Sequence, residues 1–589
     1  MKATARGGMR MVWGYAALLI LLACGYAWVD AYVMDGDGTA FMDIAAGLVS
    51  GHSHLAINGY WNPGYPALLA IGRKLAHATF SSEYMVARWT NVFIFSATLF
   101  ISIFFVSMLA RLRQRFAPVD SVPALSERTL QLLALSLLGM SAGRELPITA
   151  VRADTLLLAL LLLAAALVMR LLTEAELWIY PALGLVLGLA FLTKSFAFLP
   201  SVLLLVALFI AAVVRRKSSA TQRVLPVGVI AAGALFALTA GPYIAAISHQ
   251  LGHFSTGDSA RMNYSFFVDQ TPRWHEWFHH DLGHAGGTFV HPEEAVMSTP
   301  PVFSYAAHPV GTYPLWFAPA YWTLGLKPNV WPHGHVVRLV RCSELLVRFL
   351  LARPEPFVLL FALLLAGGAR WPASRQGWSW AAMPGLWGLL MLGIYYPVDL
   401  QDRYLTAPFL LVVLTLFAVL RQSKPDEARP FSASFALVVL FAGLIAAQAV
   451  TYQLETRREN SVRGISHGRD TEVIPAGDAL VAMGIQPGDN VACFGGKACY
   501  LDHYWARVAG AQILEEVESP DDQPALPYWK TLNNTAAVQA KLHELGARVL
   551  VARFPEVAAK PAGWVQLGHT EFFALPLDPS LKVSLAEDR

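Results

Sequence analysis

The stretch MVWGYAALLILLACGYAWVDAYVMDGDGTAFMD, residues 11–43, decides the class of this chain. From position 11 to position 29 it carries no charged side chain. That run is about as long as the roughly 20 apolar residues a helix needs to cross a bilayer. Lys2, Arg6 and Arg10 precede it, as in a signal peptide, but no small-residue cleavage site follows, so it reads as a retained helix. Directly after it, DGDGTAFMD (35–43) places Asp35, Asp37 and Asp43 where the chain has just left the apolar phase.

The rest of the sequence repeats the apolar theme. Of 589 residues, 55% are hydrophobic and only 14% charged, and the mean hydropathy is +0.46. A soluble chain carries about a quarter charged residues, so a polytopic membrane protein is expected. Candidate spans are 11–30, 84–110, 129–143, 154–173, 178–193, 196–214, 224–248, 355–369, 379–396, 404–420 and 431–452. The 178–214 stretch reads either as two helices broken at Thr193-Lys194-Ser195 or as one re-entrant element. With a cytoplasmic N-terminus, Arg111, Arg113, Arg115, Arg215, Arg216, Lys217, Arg370, Arg375, Arg421 and Lys424 all fall on the inner side. This follows the positive-inside rule. The reading is a multi-pass protein of an inner or plasma membrane, its C-terminal part extracytoplasmic.

Two units are expected: a membrane module, 1–452, with external loops 31–83 and 249–340, and an extracytoplasmic α/β domain, 453–589. In the tail, ALVAMGI and AKLHELGA read as helices, NVACFGG and ARVLVARF as strands. Cys493 and Cys499 form a disulfide or remain two buried thiols; the spacing allows both. The net charge of +3 and the basic loops give no reason to expect a nucleic-acid partner.

Ionisable residues that border apolar runs are costly in lipid and mark function more often than other positions. On the outer side these are Asp35, Asp37, Asp43, Arg144, Glu145, Arg152, Asp154, Lys194, Asp399, Asp402 and Arg403. Carboxylates can take a proton or orient a hydroxyl, and cations can hold a phosphate. Charged side chains at helix ends also simply snorkel to water. Lys194, in GLAFLTKSFAFLP (188–200), has no acidic neighbour in sequence and calls for an anionic partner such as a lipid phosphate.

Several of these pieces resemble one family. Asp37-Gly38-Thr39-Ala40-Phe41, the helical stretch 42–49 and the return Tyr60-Trp61-Asn62-Pro63-Gly64-Tyr65-Pro66 look like the first external loop of GT-C glycosyltransferases. That group includes protein O-mannosyltransferases and the lipid A aminoarabinose transferase. VRADTLLLALLLLA (151–164), GLAFLTKSFAFLP and QDRYLTAPFLLVVL (401–414) are similar to further segments of the group. Gly38 and Ala40 depart from the acidic and basic residues many members carry at those positions. The resemblance implies a GT-C type bundle of about eleven helices. It implies an inverting hexosyl- or pentosyltransferase that uses a polyprenyl-phosphate sugar and a lipid, glycan or protein acceptor. Asp37 then serves as the base. Asp35, Asp43 and Asp154 orient the acceptor or support it, and Lys194, Arg403 and Arg152 bind the donor phosphate. The resemblance implies no organic cofactor and no metal ligand set, and leaves dependence on a divalent metal open.

Two other readings compete. A carrier for lipid-linked sugars would also place polar residues in the membrane, with inverted repeats and helices broken near the midplane. His275-Glu276-Trp277-Phe278-His279 matches the HExxH zinc-peptidase pattern, but Pro272 and the Gly286-Gly287 pair bracket it, a poor setting for a long helix.

Overall fold

The computed structural model describes residues 2–29, 34–116, 122–174, 176–214, 224–272, 282–305, 311–365, 368–372, 381–422, 428–463, 472–520, 525–554 and 562–583. Each expected span has a helix: Lys2–Val29, Glu83–Phe116, Glu127–Gly143, Asp154–Glu174, Ile179–Thr193, Phe198–Val214, Pro226–Leu251, Glu355–Leu365, Ala382–Tyr395, Asp402–Val419 and Ala428–Arg463. Among the described residues, seven helical stretches are long and apolar enough to cross a membrane, and shorter apolar helices fill in between them. Their facing side chains form one large apolar core, from Val12 through Leu133, Leu187 and Leu411 to Ile445.

The segment 178–214 is two helices. The first ends at Thr193, Lys194 is extended (φ −156°, ψ 127°), and a 3₁₀ turn, Ser195–Ala197, leads into the second. A helix stopped inside apolar surroundings leaves carbonyls without partners. Asn62 answers one of them, its Nδ2 donating to the Phe191 carbonyl at 2.7 Å. Gly64 lies so close that a Cβ there would sit 2.8 Å from the Leu192 carbonyl oxygen. The WNPG return therefore closes over the break that exposes Lys194.

Arginines of the basic loops gather at one end of the bundle. Arg113 donates to the carbonyls of Leu125 and Ala418, and Arg370 and Arg421 pair in a two-residue ladder. The tail lies at the opposite end. Its sheet contains β1 (Glu294–Ser298), β2 (Pro301–Ser304), β3 (Asn490–Phe494), β4 (Gln512–Val517), β5 (Val549–Arg553), β6 (Val565–Gln566) and β7 (Phe572–Pro576). Their spatial order is β6-β7-β5-β3-β4-β2-β1, with β3 parallel to both neighbours and the other pairs antiparallel. β1 and β2 come from the external segment, so two distant parts of the chain build this sheet. Helix Val473–Met483 packs into a core that also holds Phe41, Tyr65 and Tyr84 of the membrane module. Cys493 and Cys499 are disulfide-bonded; Cys24 and Cys342 are free.

One buried guanidinium ties the tail to the module. Arg507 donates to Glu83 (2.6 and 3.0 Å), Asp43 (2.7 Å) and the Met42 carbonyl (3.1 Å). Thr312 adds its amide and hydroxyl to Asp43, at 2.8 and 2.7 Å, while its carbonyl accepts from the Ile513 amide in β4. All four side chains are buried. Removing one partner of such a cluster strands a charge in low dielectric, at about 3–5 kcal/mol. Arg507→Ala is therefore expected to cost about that much, read as a lower melting temperature in detergent and faster proteolysis between module and tail. An unchanged melt would show that the joint carries no stability.

Candidate active site

Helix Gly36–Val49 starts earlier than the 42–49 stretch expected, because Asp35 caps it: its Oδ1 accepts from the Gly38 amide at 3.0 Å. The early start settles where the three carboxylates go. Six residues along a helix turn through about 600°, which leaves Asp37 and Asp43 about 120° apart around the axis. Asp43 faces the tail, in the Arg507 joint, and Asp37 faces a cavity of about 410 Å³. Asp35 takes both Nε (3.1 Å) and Nη2 (2.6 Å) of Arg152 on one oxygen. Of the seven residues singled out in sequence, the cavity wall contains Asp37, Asp154, Lys194 and Arg403; Asp35, Asp43 and Arg152 are absent from it. The exposed His52 and His54, in the same external loop, are also absent from the cavity wall.

Among the described residues, five Asp, Lys or Arg side chains line the cavity; Asp399 is one, and the other four come from four elements. Asp154 opens its helix, Lys194 sits at the break, Arg403 is in the first turn of Asp402–Val419, and Asp37 is in the capped helix. Lys194, without an acidic neighbour in sequence, finds its anionic partner across the fold: its Nζ donates to Asp154 Oδ1 at 2.6 Å. Arg403 Nη1 donates to Asp37 Oδ2 at 3.1 Å and lies 3.9 Å from Asp154 Oδ2. Gln401 Oε1 accepts from Arg403 Nε at 2.9 Å, and Gln401 Nε2 donates to Asp399 at 2.9 Å. Lys194 Nζ also lies 4.1 Å over the Tyr404 ring. Two anions and two cations thus pair off across one cavity, and the third wall carboxylate, Asp399, is held by Gln401 and by Arg338. Burial first, and the nearby Asp35 charge second, raise the Asp37 pKa above the ordinary carboxylate range; Arg403 and Arg152 pull the other way.

Other outer charges serve as ties between helix ends. Arg144 pairs with Glu355 at 2.8 Å, buried Arg353 with Glu145 and, at 3.5 Å, with Asp402, and Arg338 with Asp399.

The remaining wall is largely aromatic and amide or hydroxyl in character: Trp61, Tyr395, Tyr404, Ser259, Asn263 and Trp316 among others. Its size is that of a small-molecule site. Tyr500, from the tail, also lines it. Sequence reading missed Tyr500 and Asn263, because neither interrupts an apolar run. Gly36 makes room for Trp316: a Cβ there would lie 2.2 Å from the indole. Among the described residues, one His/Cys/Asp/Glu group has spacing suited to a metal, Cys493, Cys499 and Glu516. The disulfide ties up both sulfurs, which leaves a lone carboxylate. His275-Glu276-Trp277-Phe278-His279 lies outside the described residues.

No family model matches the chain and no curated protein does. Among solved structures, it is similar to apo ArnT from Cupriavidus metallidurans over 100% of both chains, at 12% identity and TM-score 0.48. The same protein bound to undecaprenyl phosphate aligns over 98% of this chain and 99% of that one, at 13% and 0.47. The Archaeoglobus fulgidus oligosaccharyltransferase in its apo form aligns over 92% of this chain and 70% of that one, at 11% and 0.48. Likenesses of this strength carry no argument about chemistry, which has to come from the site itself.

Gly36→Ala would drive a methyl group into the Trp316 ring. A loss of about 1–3 kcal/mol of stability is expected, as for overpacking in a tight core. Thermal melts and tryptophan emission check it; unchanged values in both would mean the indole is not held against this helix.

Proposed function

We propose that the protein is an inverting glycosyltransferase acting on a polyprenyl-phosphate sugar at the end of the bundle that carries the tail. In the charge-based threading that end is the outer face of the membrane. The observation that carries this reading is the convergence of Asp37 with Lys194 and Arg403 on one aromatic-walled cavity at the helix mouths. The resemblance of the loop residues to those of GT-C enzymes supports it.

The step that fits is a single displacement. The acceptor oxygen attacks the anomeric carbon, the carbon–oxygen bond to phosphate breaks, and the phosphate leaves with the electron pair. Arg403 occupies Asp37 Oδ2, which leaves Oδ1 to take the acceptor proton. A raised pKa makes Asp37 a stronger base than an exposed aspartate. The leaving phosphate needs cations, and Arg403 and Lys194 can turn to it from their carboxylate partners. Asp154 holds Lys194 in place until then. Arg152, paired with Asp35, acts on the base at a distance through its charge.

The test is release of free polyprenyl phosphate by purified protein given a panel of polyprenyl-phosphate sugars and cell-envelope extract. Asp37→Asn is expected to lower release by about 10²–10⁴-fold, the usual range for a lost general base. Full release by this variant, or none from any donor with wild type, contradicts the reading.

The pH profile gives a second check. Asp37 works only when deprotonated, so activity should fall as pH drops through its raised pKa. The acid limb is expected at a higher pH than the value near 3.9 of a free aspartate. Asp35→Asn keeps a capping side chain but removes the neighbouring negative charge. Its acid limb should move to lower pH; a shift to higher pH would contradict the assignment.

A further inference from the structure

The tail puts an aromatic ring into the cavity wall, and its turn is tied on both sides. Tyr500 lies in the turn Lys497–Leu501, one residue after the disulfide-bonded Cys499. The Trp505 indole donates to the Ala498 carbonyl at 3.0 Å, and the Asp502 amide donates to the Lys497 carbonyl at 3.0 Å. Arg553 of β5 pairs with Asp502. The turn is thus held on both sides of Tyr500.

Trp316 meets it from the external segment. The ring centroids are 5.4 Å apart with the planes 32° from parallel. The Trp316 carbonyl accepts from the Trp61 indole at 2.7 Å, and the Trp316 ring lies against Gly36, next in sequence to Asp37. Both rings are half-buried and both line the cavity. Behind them His503 stacks on Trp316 at 6.4 Å. Burial pushes the His503 pKa down to about 4, so the ring is uncharged at neutral pH.

Two held aromatic rings in the wall of a polar cavity suit a ligand that is apolar on one face and hydroxylated at its edges. A sugar ring has this character, its axial C–H groups forming the apolar face. Both rings line the same cavity as the carboxylate proposed as base, and Trp316 lies against its sequence neighbour Gly36. We infer that Trp316 and Tyr500 form a stacking platform for the transferable sugar of the donor, so that the C-terminal domain supplies part of the binding site. The inference rests on the transferase reading and extends it to the sugar contact.

The experiment measures equilibrium binding to the full-length protein in nanodiscs, without acceptor. The probes are bare undecaprenyl phosphate and a panel of undecaprenyl-phosphate sugars. Wild type is expected to bind at least one sugar-bearing lipid more tightly than the bare lipid. Tyr500→Ala should weaken that lipid about tenfold, the scale of one aromatic contact, and leave the bare lipid unchanged. Tyr500→Phe, which keeps the ring, should behave as wild type. Equal weakening of both lipids by Tyr500→Ala would mean a merely structural role and overturn the platform. So would wild-type affinities indifferent to the sugar, or a Tyr500→Ala variant that keeps the preference; the transferase reading survives all three. Wild type that binds no polyprenyl phosphate at all would overturn both.

Discussion

Two carboxylates and two cations pair across one partly buried cavity, and the requirement that they be paired organises the site around them. Charges in such surroundings are tolerated only when paired. Asp154 pairs with Lys194 and Asp37 with Arg403, with Arg403 also within 3.9 Å of Asp154. Each side chain needs a backbone irregularity or a helix start to reach the pair. Lys194 requires a broken helix, and that break requires Asn62 and Gly64 to close it. Asp37 requires a helix capped by Asp35, whose other oxygen is held by Arg152. Each of the two pairs sets one cation against one carboxylate.

The tail enters this account through the helix that carries Asp37. Arg507 grips that helix at Asp43 and Met42, and the neighbouring span at Glu83. Thr312 links the same Asp43 to β4. Through the shared sheet and these buried bonds, the tail fixes one side of the helix whose other side faces the cavity. Its Tyr500 then completes the cavity wall. A domain joined this way is structurally continuous with the site.

Much of this was legible in the sequence, for definable reasons. An eleven-helix bundle follows from apolar runs of bilayer length, and Lys194 and Arg403 stand out because an ionisable residue is rare in such runs. The tail's strands Asn490–Phe494 and Val549–Arg553 fall where short β-rich runs are bounded by turn residues. The partnerships were not legible. Lys194 and Asp154 are forty positions apart, and Asp43 meets a residue in the tail. β1 and β2 show no strand pattern strong enough to assign them to a sheet nearly two hundred residues further on. Tyr500 carries no local mark, since its role depends on a long-range approach to Trp316. The division of labour among the three aspartates likewise depended on where the helix begins, a boundary that one capping hydrogen bond decides.

The central claim is that Arg403 and Lys194 exchange their carboxylate partners for the phosphate of a polyprenyl lipid. A cryo-electron microscopy structure of the protein in nanodiscs with bound undecaprenyl phosphate tests it most directly. The account predicts phosphate oxygens within hydrogen-bond distance of both Arg403 and Lys194, with Asp37 released from Arg403 and facing the cavity. A phosphate bound elsewhere, with the Asp37–Arg403 and Asp154–Lys194 pairs intact, would contradict it.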